Sequence, residues 1–278
     1  MNEETALADI VQRGGVMVLS GAGLSTDSGI PDYRGAGRLR RATITYQQFV
    51  GEPASRRRYW ARSHLGWARI ARAEPNRGHE AVASLGKAGL VTGVVTQNVD
   101  RLHQRAGSLS VVDLHGSLEG TICLHCADSR TRLELHHRLD AANPRFAGTP
   151  VIAPDGDAHL AEEETETFRV VDCLRCGGVL KPDVVMFGET VPVHRVRQAY
   201  EMLEAAALVL VLGSSLSVMS GYRFVRAAVD RRLPVAIVNR GPTRADAVAT
   251  VRVDAGLSDV LPRLVPQPSK TKTECSPA

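Results

Sequence analysis

Aromatic side chains are scarce in this 278-residue chain: five Phe, five Tyr and two Trp, or 4% of the residues. A core must therefore be assembled mostly from Val, Leu, Ala and Ile. Charge of one sign is lacking as well. The formal net charge is only +4, short of the basic bias that nucleic-acid binding wants, so no specific nucleic-acid partner is expected. Two arginine clusters, Arg38/Arg40/Arg41 and Arg56-Arg57-Arg58, read as solvated faces. No apolar run reaches the length of a membrane span, which excludes a membrane partner of that kind. The acidic start Met1-Asn2-Glu3-Glu4 runs straight into a helical pattern (Leu7, Ile10, Val11) and resembles neither a secretory signal nor a transit peptide. A cytoplasmic protein is expected, working as a monomer. No internal repeat is visible.

What is present fits a soluble globular chain, with 44% hydrophobic and 23% charged residues. The length allows one large domain, or one plus a smaller insert. The organising stretch is Met17 to Arg34. A short apolar run (Val16, Met17, Val18, Leu19) reads as a buried parallel strand that breaks into Gly21-Ala22-Gly23. Small residues there let the backbone approach a ligand, and Ser25 or Thr26 is placed to cap a following helix, whose positive end would suit a pyrophosphate. The dinucleotide fingerprint G-x-G-x-x-G is only partly met, because the third glycine is displaced to Gly29. A turn that merely joins strand to helix is the plainer alternative. Ile30-Pro31-Asp32-Tyr33-Arg34 is harder to explain as a turn, since it sets an acid, an aromatic and a guanidinium on a proline-stiffened loop.

Further along, residues 36–79 carry no clear strand. Phe49, Tyr59, Trp60, Leu65, Trp67 and Ile70 recur at helical spacing, implying a small helical module or a loop over the site, with the aromatics in a core. Residues 79–89 look helical. Strands are expected over Leu90–Thr96, Val111–Leu114, Val184–Glu189, Leu208–Leu212, Val235–Val238 and Val251–Val253, with a helix at 194–206 and a short helix after the last strand. Strands alternating with helices imply an α/β protein with a Rossmann-like doubly wound parallel sheet. Polar residues at the strand ends, Gln97-Asn98-Val99-Asp100 and His115, point into the crevice where such sheets bind ligands. His115 is either a satisfied structural residue or a general base, its imidazole being suited to proton transfer near neutrality. Asp100 is either a ligand contact or a helix N-cap.

Four of the five cysteines form two C-x-x-C pairs, Cys123/Cys126 and Cys173/Cys176, while Cys275 stands alone in a polar tail. In a cytosolic chain this spacing favours metal over disulfide, with redox pairs as the alternative. Four thiolates fill a tetrahedral Zn²⁺ shell and leave no open position for catalysis, so the ion is expected to be structural, one per chain.

Taken in order, Gly21 to Thr26, Gly29 to Arg34, Thr96-Gln97-Asn98-Val99-Asp100, Leu114-His115-Gly116, both cysteine pairs, Lys181 to Glu189 and Gly213-Ser214-Ser215-Leu216 resemble the sirtuins, NAD-dependent protein deacylases. The likeness spans about residues 5–265. Arg58-Tyr59-Trp60-Ala61-Arg62, Ala153 to Asp157, Ser220 to Phe224 and Gly241 to Arg244 are similar to the class II branch, in a bacterial member. Tyr59-x-x-Arg62 matches the string of sirtuins that remove short acidic acyl groups, but reads as out of register and coincidental.

The resemblance implies a discontinuous Rossmann-like NAD domain (1–35, 80–117 and 182–265), a cofactor-loop and helical module (36–79), a zinc-binding module (118–181) and a disordered tail (266–278). It implies that Gly21, Ala22, Gly23, Thr26 and Asp27 hold the NAD diphosphate, with Gly213, Ser214 and Ser215 beside it. Asn239, Arg240, Gly241 and Leu257 would receive the adenosine half. Asp32, Tyr33 and Arg34 would line a covering loop, and Ala36 to Val50 would gate the site. Gln97 would contact ribose, while Asn98, Val99 and Asp100 would hold the nicotinamide carboxamide. His115, with Asn98, would be catalytic, accepting a proton from a ribose hydroxyl. An acyl-lysine protein or peptide would lie as an added strand on Val185, Phe187, Gly188, Glu189 and Val218. The products implied are free lysine, nicotinamide and O-acyl-ADP-ribose. Protein mono-ADP-ribosylation, or a catalytically idle NAD-sensing scaffold, are the alternatives, and the acyl group preferred is left open.

Overall fold

Hydrophobic side chains run without a break along the central strands and successive residues face opposite sides, so that two helical layers can cover one sheet. The computed structural model describes residues 2–32, 43–146, 160 and 163–266. Tyr33, Arg34, residues 36–42 of the expected gating segment, the Ala153 to Asp157 string and the tail from residue 267, with Cys275, lie outside them.

The chain enters through α1 (Glu3–Val11) and β1 (Val16–Ser20), then runs through α2 (Tyr46–Gly51), α3 (Pro53–Arg72), α4 (Arg77–Lys87), β2 (Val91–Thr96), α5 (Leu102–Arg105) and β3 (Val111–Asp113). There follow β4 (Gly116–Cys123), β5 (Ser129–Thr131), α6 (Arg132–Ala142), β6 (Leu180–Val184), α7 (Val193–Glu204), β7 (Leu208–Leu212), α8 (Met219–Asp230), β8 (Val235–Val238), β9 (Val251–Val253) and α9 (Leu257–Leu264). Six strands form one parallel sheet in the order β3-β2-β1-β7-β8-β9. That is the doubly wound order, and it reverses direction between β1 and β7.

Val16 and Val18 of β1 pack with α1, α4 and α9 through Leu7, Val82, Leu85 and Leu261. Met17 and Leu19 face the other way, onto α7 and α8 through Leu203, Phe224 and Val225. Each such side chain, fully buried, contributes about 1.5–3 kcal/mol. This hydrophobic sandwich fixes the plane of the sheet and therefore where its strand ends emerge.

A second sheet, in the order β5-β4-β6, is antiparallel and small. Its core is shared. Phe49, Tyr59 and Trp60 of the helical segment pack with Cys123, Leu135, Leu139, Phe168, Cys173 and Leu180. Ring centroids of Phe49, Tyr59 and Trp60 lie 5.3–6.3 Å apart, edge to face. The Arg132 guanidinium is buried between Trp60 and Trp67, 5.4 and 5.1 Å from their centroids. The helical and cysteine-bearing segments thus form one packed unit.

Four local expectations need correction. Gly21-Ala22-Gly23 leads into two single 3-10 turns, Ala22–Leu24 and Thr26–Ser28, and not into an α-helix, and neither Ser25 nor Thr26 caps one. The expected strand at Val184–Glu189 is displaced: the strand is Leu180–Val184 and belongs to the small sheet, and Glu189 N–H closes a turn onto Met186 O. Residues 46–50 of the expected gating segment fall in the helix α2. Arg56 is half-buried and does more than face solvent, because its Nη1 donates to the carbonyls of Phe49 and Val50 in the last turn of α2.

Candidate active site

The carboxyl ends of β1, β2, β3, β7 and β8 open onto one crevice of about 1820 Å³. It lies at the reversal between β1 and β7, where open parallel sheets leave room because adjacent connections diverge to opposite faces. Two loops form its floor and lock together. Gly23 N–H donates to Gly213 O at 2.9 Å, and Gly213 has φ of 59°, a left-handed conformation. A Cβ on Gly23 would stand 2.9 Å from Gly213 Cα, and one on Gly213 would stand 2.5 Å from Leu24 N. These glycines let two strand ends touch, a reason beyond the ligand approach read from sequence.

Apart from the four cysteines, every sequence-predicted site residue within the described chain lines this crevice: Gly21, Ala22, Gly23, Thr26, Asp27 and Asp32 after β1; Gln97, Asn98, Val99 and Asp100 after β2; His115 after β3. Gly213, Ser214 and Ser215 follow β7, while Asn239, Arg240 and Gly241 follow β8, with Leu257 at the start of α9. Val185, Phe187, Gly188, Glu189 and Val218 complete the set.

A buried polar knot sits behind the glycine turn. Asn98 Nδ2 donates to Gly21 O and to Ser25 Oγ at 3.1 and 3.0 Å, and the Ser25 hydroxyl donates to Asp100 Oδ2 at 2.7 Å. Asp100 Oδ1 accepts the Leu102 N–H at 3.0 Å, so the carboxylate also serves the first turn of α5. The N-cap position of α5 is Arg101, so Asp100 is not its N-cap and supports the helix start only through this one bond. Burial raises its pKa above the usual carboxylate value, against the hydrogen bonds from Ser25 and Leu102. Beneath them, Ser20 Oγ bonds His103 Nε2 at 2.8 Å and Thr96 Oγ1 at 2.9 Å, and Thr96 Oγ1 accepts the Asn98 N–H.

His115 meets two partners. Its Nδ1 lies 3.0 Å from Gln97 O, and its Nε2 lies 2.7 Å from Ser220 Oγ. A carbonyl only accepts, so Nδ1 carries the proton and Nε2 holds its lone pair, facing the Ser220 hydroxyl. Burial lowers the pKa below the usual histidine value, opposed by the Gln97 carbonyl and reinforced by Arg195. The ring is a neutral base at neutral pH. Ser220 was not singled out from sequence as a partner of His115. It lies 105 residues away, at the start of α8, within a string that the sequence marks only as a class II likeness.

The Val185–Glu189 segment is held from behind. Thr45 bridges to Phe187, Tyr46 N–H donates to Phe187 O at 2.9 Å, and Gln47 Nε2 donates to Gly188 O at 3.0 Å. Glu189 does not offer its carboxylate freely: Oε2 accepts from buried Lys181 Nζ at 3.1 Å and from Met186 N–H at 2.8 Å. It shapes the segment from within. Phe187, Val218 and Met219 stay exposed along the crevice. The wall formed by Ile30, Ile70, Leu118 and Val184 belongs to one apolar cluster. Tyr59 reaches the crevice, so it is more than a core aromatic. Arg62, one helical turn on, does not line it and donates to Leu160 O at 3.2 Å.

The four thiols meet in space. Cys123 and Cys176 Sγ are 3.5 Å apart, Cys126 and Cys173 Sγ 3.7 Å apart, and all four lie within 4.8 Å of one another. Zn–S bonds of about 2.3 Å set tetrahedral sulfur atoms roughly 3.8 Å apart, so the quartet fits one structural zinc. Backbone N–H groups of Cys126 and His125 draw the Cys123 thiol down to about 6, whereas the neighbouring sulfurs push Cys176 up to about 12. Charge crowding of this kind is what a bound dication relieves.

A doubly wound sheet with a dinucleotide-sized crevice at its reversal, joined to a four-cysteine module, defines a Rossmann-like nucleotide-binding protein with a structural zinc site. Residues 21–220 match the sequence pattern of the Sir2 family, and the chain belongs to that family. It is 57% identical over 260 residues to NAD-dependent protein deacetylase 1 of Streptomyces coelicolor, covering 92% of this chain and 86% of that one. With NAD-dependent protein deacetylase 1 of Mycobacterium avium it is 53% identical, covering 93% of each. Among solved structures, Sir2 with a p53 peptide and NAD+ superposes with a TM-score of 0.77 at 30% identity, covering 95% of this chain and 97% of that one.

Proposed function

We propose that this chain is an NAD-dependent protein-lysine deacylase that converts acyl-lysine, NAD and water into free lysine, nicotinamide and O-acyl-ADP-ribose. The observation that carries the reading is the lone pair on His115 Nε2, set in the same crevice as the buried Asn98–Ser25–Asp100 knot. A binding module has no need of a tautomer-fixed base there. Named relatives at 50% identity and above, all deacetylases, support it.

Bound NAD supplies an electrophilic ribosyl carbon and nicotinamide as leaving group. The chain's own residues do the rest. Gly21, Ala22, Gly23, Thr26 and Asp27 cradle the diphosphate against Gly213, Ser214 and Ser215, and Asn239, Arg240, Gly241 and Leu257 receive the adenosine half. Asp32 stands at the rim, and Tyr33 and Arg34 follow it in the covering stretch. Asn98, Val99 and Asp100 orient the carboxamide, and Gln97 and Ser214, joined at 2.7 Å, face the ribose. His115 Nε2 exchanges Ser220 for a ribose hydroxyl and takes its proton, with the imidazolium held by Gln97 O. Val185, Phe187, Gly188 and Val218 receive the extended peptide, whose backbone groups pair with the segment whatever the sequence. Because the amide oxygen is a weak nucleophile, rate comes from positioning and from exclusion of water.

The apolar wall and the turned-away Arg62 favour uncharged acyl groups over short acidic ones. The cytoplasm as the working compartment, and a single chain as the working form, belong to the same proposal.

Nicotinamide release and lysine liberation, measured together on acetyl, longer aliphatic, lipoyl and succinyl peptides, test the reading. Turnover on uncharged acyl peptides that collapses in His115→Ala supports it. Nicotinamide release without free lysine would move the assignment to ADP-ribosyl transfer, and no turnover on any peptide would make the chain a sensor.

A further inference from the structure

Outside the crevice and the thiol quartet, one group of side chains among the described residues has the makings of a second inorganic centre. His64 projects from the middle of α3 and is buried. His136 and Asp140 are one turn apart on α6 and so share a face. Their ligand atoms converge: His64 Nε2 lies 3.2 Å from Asp140 Oδ1, His136 Nε2 lies 3.5 Å from Asp140 Oδ2, and one donor atom from each residue falls within 4.8 Å of the others.

We propose that His64, His136 and Asp140 form a second metal site, taking one Zn²⁺-class divalent cation across the contact between α3 and α6. Nitrogen and oxygen ligands at about 2.0–2.2 Å in a tetrahedral shell stand roughly 3.3–3.6 Å apart, close to the 3.2 and 3.5 Å by which each imidazole already meets one oxygen of Asp140. Two imidazoles and a carboxylate are the donor set of open zinc sites, and imidazole suits late first-row dications. Burial keeps both rings neutral at neutral pH, with their lone pairs available. The His64 and His136 rings sit 4.6 Å apart with both Nδ1 atoms buried, so the Nε2 atoms are the ones turned to the carboxylate. Asp140 is 55% exposed, giving the ion an entry path and room for water in the remaining position. The Arg132 guanidinium, which depresses both imidazoles, is the opposing charge, so this site binds more weakly than four thiolates and the two can be loaded separately.

The consequence is a cross-brace. α3 carries Tyr59 to the crevice, while α6 belongs to the cysteine-bearing module, so an ion here would fix one to the other without touching the chemistry.

The test uses full-length protein with its four-thiol site filled. Equilibrium dialysis against Zn²⁺ at neutral pH, followed by elemental analysis, should find two ions per chain in the unmodified protein. His136→Ala and Asp140→Asn should retain one and bind the second at least tenfold more weakly. His137→Ala should keep both. Added Zn²⁺ should raise Tm in the unmodified protein and in neither site variant. No second ion in the unmodified protein, or a second ion of unchanged affinity in either site variant, overturns the proposal. If His136→Ala loses the first ion as well, Asp140→Asn alone decides, since its side chain is largely in solvent.

Discussion

The two sheets of this protein solve the same problem, holding a site in place, by opposite means. In the six-stranded sheet the burial is ample on both faces, and the strand ends deliver polar residues to a crevice that the topology itself creates. In the three-stranded sheet, β5 has only three residues and all of them are exposed. That unit closes around four thiols, three edge-to-face aromatics and an arginine between two indoles. The contrast shows a division of labour: a sheet with enough apolar area can leave its strand ends to chemistry, and a small one needs a metal and shaped aromatic contacts to exist at all.

Stripping the zinc is the harshest test of that contrast. Structural zinc binding is worth on the order of 10 kcal/mol of folding energy, so chelation should abolish amide protection in β4, β5 and α6 while β1, β7 and β8 keep theirs in hydrogen exchange. Uniform loss in both sheets would make the two units one cooperative body. On the other side, His115→Ala should lower kcat about 10²–10⁴-fold with a much smaller change in KM for NAD, read as nicotinamide release. Trp60→Ala removes a fully buried ring beside Arg132 and should cost about 3–5 kcal/mol in denaturant unfolding.

Acid should strain both units. Burial lowers His64 and His79 to about 4 and His103 to about 3. The unfolded chain binds protons at these groups near 6.5 while the native state does not, so unfolding takes up protons in between. Stability is therefore complete above about 6.5 and falls as pH drops toward 4, which Tm against pH will show. His79 and His103 sit under the large sheet, and His64 sits in the small unit. The smallest effect is expected at Ser220. Its hydroxyl only holds the Nε2 side of the ring until substrate replaces it, so Ser220→Ala should change kcat by no more than about tenfold, read as nicotinamide release.

How much of this was legible in the sequence follows the same division. β7 and β8 were readable to the residue because a buried parallel strand is a continuous apolar run. The two cysteine pairs announced their shared site by spacing, although only the fold brings Cys123 to Cys176. Gln97 to Asp100 and His115 could be read from the strand ends, where polar residues follow apolar runs, whereas positions such as Asp27, Leu257 and Val185 to Glu189 were named through the resemblance to sirtuins. What was not legible depended on distant packing. Nothing local says that Val185 to Glu189 leaves the sheet, because the grip on it comes from Thr45, Gln47 and Lys181. The Ser25 hydroxyl looks like a helix cap until Asp100, 75 residues on, is found to claim it. The union of the helical and cysteine-bearing segments into one core is likewise invisible to any window along the chain.

The backbone link between Thr45–Tyr46 and Phe187 carries a consequence for how the two substrates communicate. The strip proposed to receive the peptide is stitched to the very start of α2, directly downstream of the stretch that follows Asp32 at the dinucleotide end. Seating a peptide against Phe187 would therefore also bear on the start of α2. Occupancy by either substrate would then alter the free energy of admitting its companion, and by reciprocity each would do so to the same degree.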